Sequence, residues 1–215
     1  MYLPFGMVFK QQIRACFYSE DGEILGERFD ITPWVSGSTN TFRCENPSGA
    51  YGQVGGEKIF FVCYEYYNTP NDVVSRDIKG VIVPTDTDSI SDVTPFDICL
   101  SSGNQADPIV VFDDDNQRFF VIWEDGREGT ENYNIYGRLF DINGNPIGGE
   151  KIISNRPNSQ CEPWVCFDDV NNHYMVVWEE GIDPELGPFD IWGQLFTING
   201  DPLGDAQRLS PQGIV

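Results

Sequence analysis

Carboxylates at repeating positions are the residues of this chain best suited to chemistry. Glu45, Asp107 and Glu162 occupy comparable places in three successive segments, and the last two are each followed by proline. Converging carboxylates repel one another unless a cation or bound water offsets their charge. Because no His or Cys cluster accompanies them, these oxygen ligands suit Ca²⁺ better than Zn²⁺ or copper. We therefore predict a calcium site at these three residues, against the alternative that they cap backbone N–H groups or are solvated.

A second set of acidic residues follows an aromatic residue that recurs along the chain. Its members come directly after Trp123 and Trp178. The acids of this group are expected on the same face of the molecule as the first three. A tryptophan in a long loop, Trp34, can stack on a sugar ring there. The predicted binding residues, for a protein or a glycan, are Trp34, Glu124, Asp125, Arg127, Glu179 and Glu180.

The inventory of catalytic residue types is narrow. The chain has one histidine, His173, in a segment predicted to lie on the opposite face, which excludes a serine or cysteine triad with a histidine base. The remaining catalytic option is a pair of carboxylates, as in glycoside hydrolysis. The near-identical placement of the acids favours repetition of sequence over a differentiated acid and base. We expect a non-catalytic module for adhesion or assembly, with a carboxylate-dependent glycan-active enzyme as the alternative.

Two recurring segments predict the elements that position these residues. One contains NIYGRLFDINGNPIG from Asn134 and DIWGQLFTINGDPLG from Asp190; the other contains FFVIWEDG from Phe119 and YMVVWEEG from Tyr174. Short aromatic and β-branched runs bounded by Asn-Gly or Asp-Gly predict strands joined by hairpins. Each unit then holds four strands, A to D, and recurs every 55 to 65 residues. A four-stranded meander with such a period is a propeller blade.

The stretch VIWEDGREGTENYNIYG, which begins at Val121, resembles the W-x-D-x-R-x-G…I-Y-G repeat of secreted and cell-surface propellers, broadly of the TolB type. The resemblance covers most of residues 60–210 and implies blade architecture, but little about function. The unit of WEEGIDPELG lacks the arginine, and another unit has Tyr64 and Tyr66 in place of the Trp-Asp pair.

We predict an all-β protein, a β-propeller of four-stranded antiparallel blades. Four blades are expected to form one domain over residues 1–215, closed by pairing of residues 213–215 beside 7–9. The units span about residues 1–30 plus the C-terminal stub, 31–102, 103–155 and 156–210. The rival is an open array whose terminal strands associate with another subunit. In either case the D–A and B–C loops share the face that carries the predicted sites.

Composition narrows the partners and the location. Asp and Glu outnumber Lys and Arg by 34 to 13, so a nucleic-acid partner is disfavoured. No apolar run reaches the length of a membrane span, and the N-terminus lacks the pattern of a signal peptide. The six cysteines lack metal-ligand spacing and are expected to be mostly small buried residues. The acidic balance suits an extracellular or cell-surface protein.

Overall fold

A computed structural model describes residues 12–19, 21–32, 43–67, 76–85, 93–129, 132–182 and 188–211. These residues form fourteen β-strands, which are β1 (Arg14–Tyr18), β2 (Ile24–Asp30), β3 (Arg43–Val54), β4 (Glu57–Tyr67), β5 (Arg76–Pro84), β6 (Phe96–Cys99), β7 (Gln105–Asp113), β8 (Arg118–Asp125), β9 (Asn134–Asp141), β10 (Pro146–Ser154), β11 (Ser159–Asp168), β12 (His173–Gly181), β13 (Phe189–Thr197) and β14 (Pro202–Arg208). Among them there is no helix long and apolar enough to cross a membrane.

The strands form one two-stranded sheet and three four-stranded sheets. The pair β1–β2 comes first, followed by the first sheet (β3–β6), the second sheet (β7–β10) and the third sheet (β11–β14). Within each sheet the strands pair with their neighbours in sequence and run antiparallel. The prediction of an all-β fold of four-stranded antiparallel sheets is therefore confirmed. Closure into a ring of four is not seen among the described residues, and the segments 7–9 and 213–215 lie outside them.

Short hairpins of the predicted kind join the strands. Gly144 and Gly200 adopt φ values of 79° and 73°, which the two Asn-Gly turns require. The Oδ1 atom of Asp141 accepts hydrogen bonds from the backbone N–H groups of Asn143 and Asn145, at 2.9 and 2.8 Å. The Asp141 carboxylate at this end of the sheets therefore stabilises its turn.

Apolar cores lie between successive sheets. The aromatic rings of Phe61 on the first sheet and Phe119 on the second have centroids 4.9 Å apart, and those of Phe120 and Tyr174 join the second sheet to the third at 4.7 Å. Trp123, which opens the W-x-D-x-R motif, is fully buried between the first two sheets. Because alternate residues of a strand face opposite sides, each middle sheet contributes one face to the core before it and the other to the core after it.

The glycine of the I-Y-G motif has a packing role. A Cβ atom at Gly137 on β9 would lie 2.9 Å from the ring of Phe120 and 3.1 Å from Ile122. The absence of a side chain on β9 therefore leaves room for the residues of β8 that fill the next core. Gly80 has the same function in the first sheet, where a Cβ atom would lie 2.7 Å from the ring of Phe96.

The cysteines divide by burial. Four of them, at positions 44, 63, 99 and 161, are buried, as predicted, whereas Cys166 is exposed. Burial raises the pKa of the Cys63 thiol to about 12, so this side chain behaves as a small neutral residue of the core.

Candidate active site

The first strand of every four-stranded sheet contains the same irregularity. Its pairing with the next strand shifts between Glu45 and Ser48, between Ala106 and Ile109, and between Cys161 and Trp164. Within these bulges Asn46, Asp107 and Glu162 have φ values of 47°, 47° and 50°, each directly before a proline. Positive φ is unfavourable for a residue with a Cβ atom, and both this strain and β-bulges are common at functional sites.

The bulges correct one sequence prediction. Glu45 pairs with Glu65 on β4, as Ala106 pairs with Glu124 on β8 in the second sheet. The residue equivalent to Asp107 is therefore Asn46, one position further on, and the Glu45 carboxylate instead accepts a hydrogen bond from Arg43. Asn46 is followed by proline, as Asp107 is, and this signal was available in the sequence.

Glu65 links the first bulge to the second. Its Oε1 atom accepts hydrogen bonds from the side chain of Asn46 at 2.8 Å and from the backbone N–H of Asp107 at 3.0 Å. The same amide nitrogen of Asn46 donates to Oδ1 of Asp107 at 3.0 Å. The Asn46 amide therefore bridges the carboxylates of Glu65 and Asp107.

The other oxygen of Glu65 is also engaged. Oε2 accepts a hydrogen bond from the hydroxyl of Tyr67 at 3.1 Å and lies 3.2 Å from the Arg76 guanidinium. Glu65 is completely buried. These donors and the Arg76 guanidinium fix both oxygens of the buried Glu65 carboxylate, so Glu65 positions its neighbours.

Glu124 repeats the arrangement one sheet later with fewer donors. Its Oε1 atom accepts a hydrogen bond from the backbone N–H of Glu162 at 2.7 Å. Burial, reinforced by the nearby charge of Asp107, raises the pKa of the Glu124 carboxyl to about 8. This side chain is therefore mostly protonated at neutral pH. We refer to Glu65, Asp107, Glu124 and Glu162 as the acid cluster.

Asp107 has a different environment. Burial, together with the charges of Glu65 and Glu162, raises its pKa to about 6, whereas Arg76 and the hydrogen bond from Asn46 oppose the rise. At neutral pH Asp107 is therefore mostly ionised beside a protonated Glu124. Titratable groups whose pKa values are pushed apart in this way are characteristic of an acid and base pair. The expectation of undifferentiated acids does not hold for this cluster.

Asp125 and Arg127, predicted to bind a ligand, form an internal network. The carboxylate of Asp125 is fully buried, accepts a hydrogen bond from the Trp123 indole at 2.9 Å and pairs with Arg127 at 2.6 Å. Arg127 also bonds to Glu150 at 2.8 Å, and its guanidinium lies 4.1 Å from the ring centroid of Tyr136. Both carboxylate oxygens of Asp125 are already occupied by hydrogen bonds within the chain. The W-x-D-x-R motif therefore stabilises this end of the sheet.

The third sheet builds a similar network from other residues. Glu180 pairs with Arg156, whose guanidinium lies 3.6 Å from the ring centroid of Trp192. The arginine that WEEGIDPELG lacks is therefore supplied by the loop before β11. The buried Nε1 of Trp178 has no hydrogen-bond partner in the described part of the chain, so the Glu180 carboxylate does not reach it.

The remaining predicted residues lie apart from these contacts. Glu179 is half-buried and occupies the position on β12 that Glu65 and Glu124 occupy on their strands. Trp34 lies outside the described residues. Sequence reasoning missed Arg76, which enters the site from the start of β5.

The contrast between ion pairs gives a stability prediction. Arg127→Ala is expected to lower the free energy of unfolding by about 3 kcal/mol, because it leaves the buried Asp125 carboxylate without its cation. Lys151→Ala removes an exposed ion pair with Asp201 and is expected to cost less than about 1 kcal/mol. Urea unfolding of both variants measures the difference, and equal losses would contradict the structural role given to Arg127.

The calcium site stays a prediction. Within the described ranges, no group of three or more His, Cys, Asp or Glu side chains is arranged to hold a metal ion. Asn46, in the place predicted for a carboxylate, directs an N–H donor at Glu65 and Asp107 and so offsets part of their negative charge.

A groove of about 890 Å³ lies at the end of the sheets that is opposite to the acid cluster. It is lined by side chains of β3, β7 and β11, among them Tyr51, Phe112 and Phe167, and by turn acids such as Asp114. The acid cluster, at the opposite ends of the same strands, is the candidate for catalysis because its carboxyl groups differ in protonation.

Comparison with solved structures identifies what this fold resembles. The α-L-arabinofuranosidase from Fusarium graminearum in complex with an iminosugar inhibitor superposes with a TM-score of 0.55 and 14% sequence identity, covering 90% of this chain and 57% of that protein. The GH93 α-L-arabinofuranosidase of the same organism with arabinobiose gives a TM-score of 0.52 and 13% identity, over 88% and 56% of the two chains. The fold is a propeller-like all-β fold. The chain spans somewhat more than half the length of these proteins.

Sequence comparison adds no family. No protein-family model matches the chain, and no curated protein matches it. The similarity to TolB-type blades therefore remains a resemblance of motif.

The structural comparison corrects the predicted function. A non-catalytic module for adhesion or assembly was expected, but the two similar solved structures named above are glycosidases. That prediction is wrong, and the finding favours the alternative of a carboxylate-dependent glycan-active enzyme.

Proposed function

We propose that this chain carries the active site of a carboxylate-dependent glycoside hydrolase, centred on the acid cluster. The observation that carries the proposal is the difference between two neighbouring carboxyl groups. The pKa of Asp107 is raised to about 6 and that of Glu124 to about 8. Hydrolysis of a glycosidic bond needs one protonated and one ionised carboxyl group on the two sides of that bond.

Glu124 is the general acid in this proposal. Its Oε1 atom accepts the N–H of Glu162, which leaves Oε2 to hold the proton. The carboxyl group donates that proton to the glycosidic oxygen as the bond to the leaving group breaks. A pKa near 8 keeps the group protonated at neutral pH and still allows transfer to a developing alkoxide.

Asp107 is the ionised partner. Its carboxylate either attacks the anomeric carbon or activates a water molecule, and in both cases its charge stabilises the oxocarbenium-like transition state. The backbone N–H bonded to Glu65 and the side-chain bond to Asn46 hold Asp107 in its bulge. Arg76 and Glu65 act as positioning residues, since they fix the charge around Asp107.

The comparisons supply the first substrate class to test. Both solved structures named above are α-L-arabinofuranosidases, so α-L-arabinofuranosides are the first substrates to test. Location outside the cell, predicted from the acidic composition, agrees with an enzyme that acts on polymeric glycans.

A panel of chromogenic glycosides that includes an α-L-arabinofuranoside tests the proposal. The chain is expected to hydrolyse at least one of them, and Asp107→Asn is expected to reduce kcat by about 10²-fold or more. Asp201→Asn, which changes an exposed acid at the opposite end of the sheets, serves as the control and should retain the rate. Absence of hydrolysis across the panel, or a fully active Asp107→Asn variant, would overturn the proposal.

A further inference from the structure

Glu162 is the exposed carboxylate of the acid cluster. Its backbone N–H is bonded to Glu124 at 2.7 Å, so the bulge fixes its position, whereas its side chain faces solvent. Burial is the main cause of the raised pKa values of Asp107 and Glu124, and the charge of Glu162 adds to both. Its carboxylate is therefore within electrostatic reach of both groups. A sugar bound at Asp107 and Glu124 meets this negative charge.

The arginines at this end of the three four-stranded sheets already have carboxylate partners. The ion pairs are Arg43 with Glu45, Arg76 with Glu65, Arg127 with Asp125, Arg156 with Glu180 and Arg208 with Asp190. Lys79, further along β5, is paired with Asp97. Within the described ranges, no hydrogen bond or ion pair engages the carboxylate of Glu162. An anionic ligand would have to separate one of these pairs to gain a cation, which is costly where the carboxylate is buried.

The sequence adds only acids to the connections between the second and third strands of these sheets. Residues 68–75, 130–131 and 183–187 belong to those connections and lie outside the described ranges. They contain Asp72, Glu131, Asp183 and Glu185, and no lysine or arginine. Because the net charge of the chain is −21, the long-range field also repels anions.

We infer that the acid cluster binds neutral sugars and excludes sugars that carry a carboxylate, and that Glu162 determines this selectivity. The inference rests on the proposed function, since it takes the acid cluster as the place where the glycan is bound. The Glu162 carboxylate can accept hydrogen bonds from the hydroxyl groups of a neutral ring. A uronate in the same place brings a second negative charge without a free cation to offset it.

Isothermal titration calorimetry with arabinobiose and with α-1,4-linked digalacturonate, at pH 7 and low ionic strength, tests the inference. The wild type is expected to bind digalacturonate at least about tenfold more weakly than arabinobiose. Glu162→Gln removes the charge and keeps the backbone N–H that bonds to Glu124, so the ratio of the two dissociation constants should fall about fivefold. Because both sugars are measured on both proteins, the other differences between the sugars cancel from this change.

A matched variant and a change of salt distinguish a local charge from a general one. Asp205→Asn removes the same charge from an exposed aspartate of β14, the outermost strand of the third sheet, and should leave the ratio unchanged. Added salt screens exposed charges, so the ratio for the wild type should fall as the ionic strength rises.

Two results would overturn the inference. One is equal affinity of the wild type for the two sugars, and the other is a ratio that Glu162→Gln changes no more than Asp205→Asn does. Hydrolysis measured in parallel separates this inference from the proposed function. A chain that selects arabinobiose through Glu162 but hydrolyses no glycoside supports the inference and contradicts the proposed function. A chain that hydrolyses glycosides but binds both sugars equally contradicts the inference alone.

Discussion

Replacing Glu124 with glutamine is expected to abolish hydrolysis and, at the same time, to stabilise the protein at alkaline pH. The variant cannot donate a proton, so kcat should fall by about 10²- to 10⁴-fold. The side-chain oxygen of glutamine still accepts the N–H of Glu162, which preserves the bulge. A raised pKa means that ionising the buried carboxyl group costs folding free energy, and glutamine removes that cost.

The sign of the stability effect follows from the two pKa values. In the unfolded chain Glu124 titrates at its ordinary value of 4.5, and in the folded protein at about 8. Below the lower value both states are protonated and the group costs nothing. As the pH rises through that interval the unfolded state gains from ionisation, and by pH 8 the wild type has lost about 4 kcal/mol relative to Glu124→Gln.

Urea unfolding near pH 4 and pH 8 measures this difference. The two proteins should have similar stabilities near pH 4, and the variant should be more stable near pH 8. Glu57→Gln, at the exposed glutamate that begins β4, is the control and should show no such gain. A Glu124→Gln variant that is less stable than the wild type at pH 8 would refute the environment described for this carboxyl group.

Features that depend on local sequence were predictable. Alternating aromatic and β-branched residues specify β8 and β12, and the Asn-Gly pairs specify the hairpins at Gly144 and Gly200. Because these signals recur with one period, they also predict repeated four-stranded sheets. The turn role of Asp141 follows from the same local chemistry.

Features that depend on contacts between sheets were not predictable. Asp107 was predicted as a calcium ligand and Glu124 as a binding residue, each within its own repeated set, yet Glu124 is nearly enclosed whereas Asp107 is half-buried near the Arg76 charge. The period of the sequence repeat does not indicate that difference in burial. The ion pair of Glu180 with Arg156 likewise joins residues from separate loops, so the absence of a motif arginine could not reveal it.

The error in assigning function has the same origin. The repeated placement of Glu45, Asp107 and Glu162 was interpreted as repetition without division of roles. In the structure, repetition fixes where the backbone N–H groups point, and the surroundings of each carboxyl group then determine its protonation. A quasi-symmetric set of acids can therefore supply both an acid and a base.

The pH dependence of hydrolysis is the sharpest test of that division. Activity requires an ionised Asp107 and a protonated Glu124, so kcat/KM should follow a bell-shaped profile with limbs near pH 6 and pH 8. Activity is lost below the acidic limb because Asp107 is protonated, and above the alkaline limb because Glu124 has lost its proton.

Arg76 determines where these limbs fall. Its charge lowers the pKa of both Asp107 and Glu124, so Arg76→Gln is expected to move both limbs to higher pH. Arg76→Lys keeps a positive charge beside the buried Glu65 carboxylate and should leave the limbs close to their wild-type positions. A general loss of folding would lower the rate at every pH without moving the limbs, whereas an electrostatic role requires the shift. A profile that is the same in wild type and Arg76→Gln would contradict the acid and base assignments.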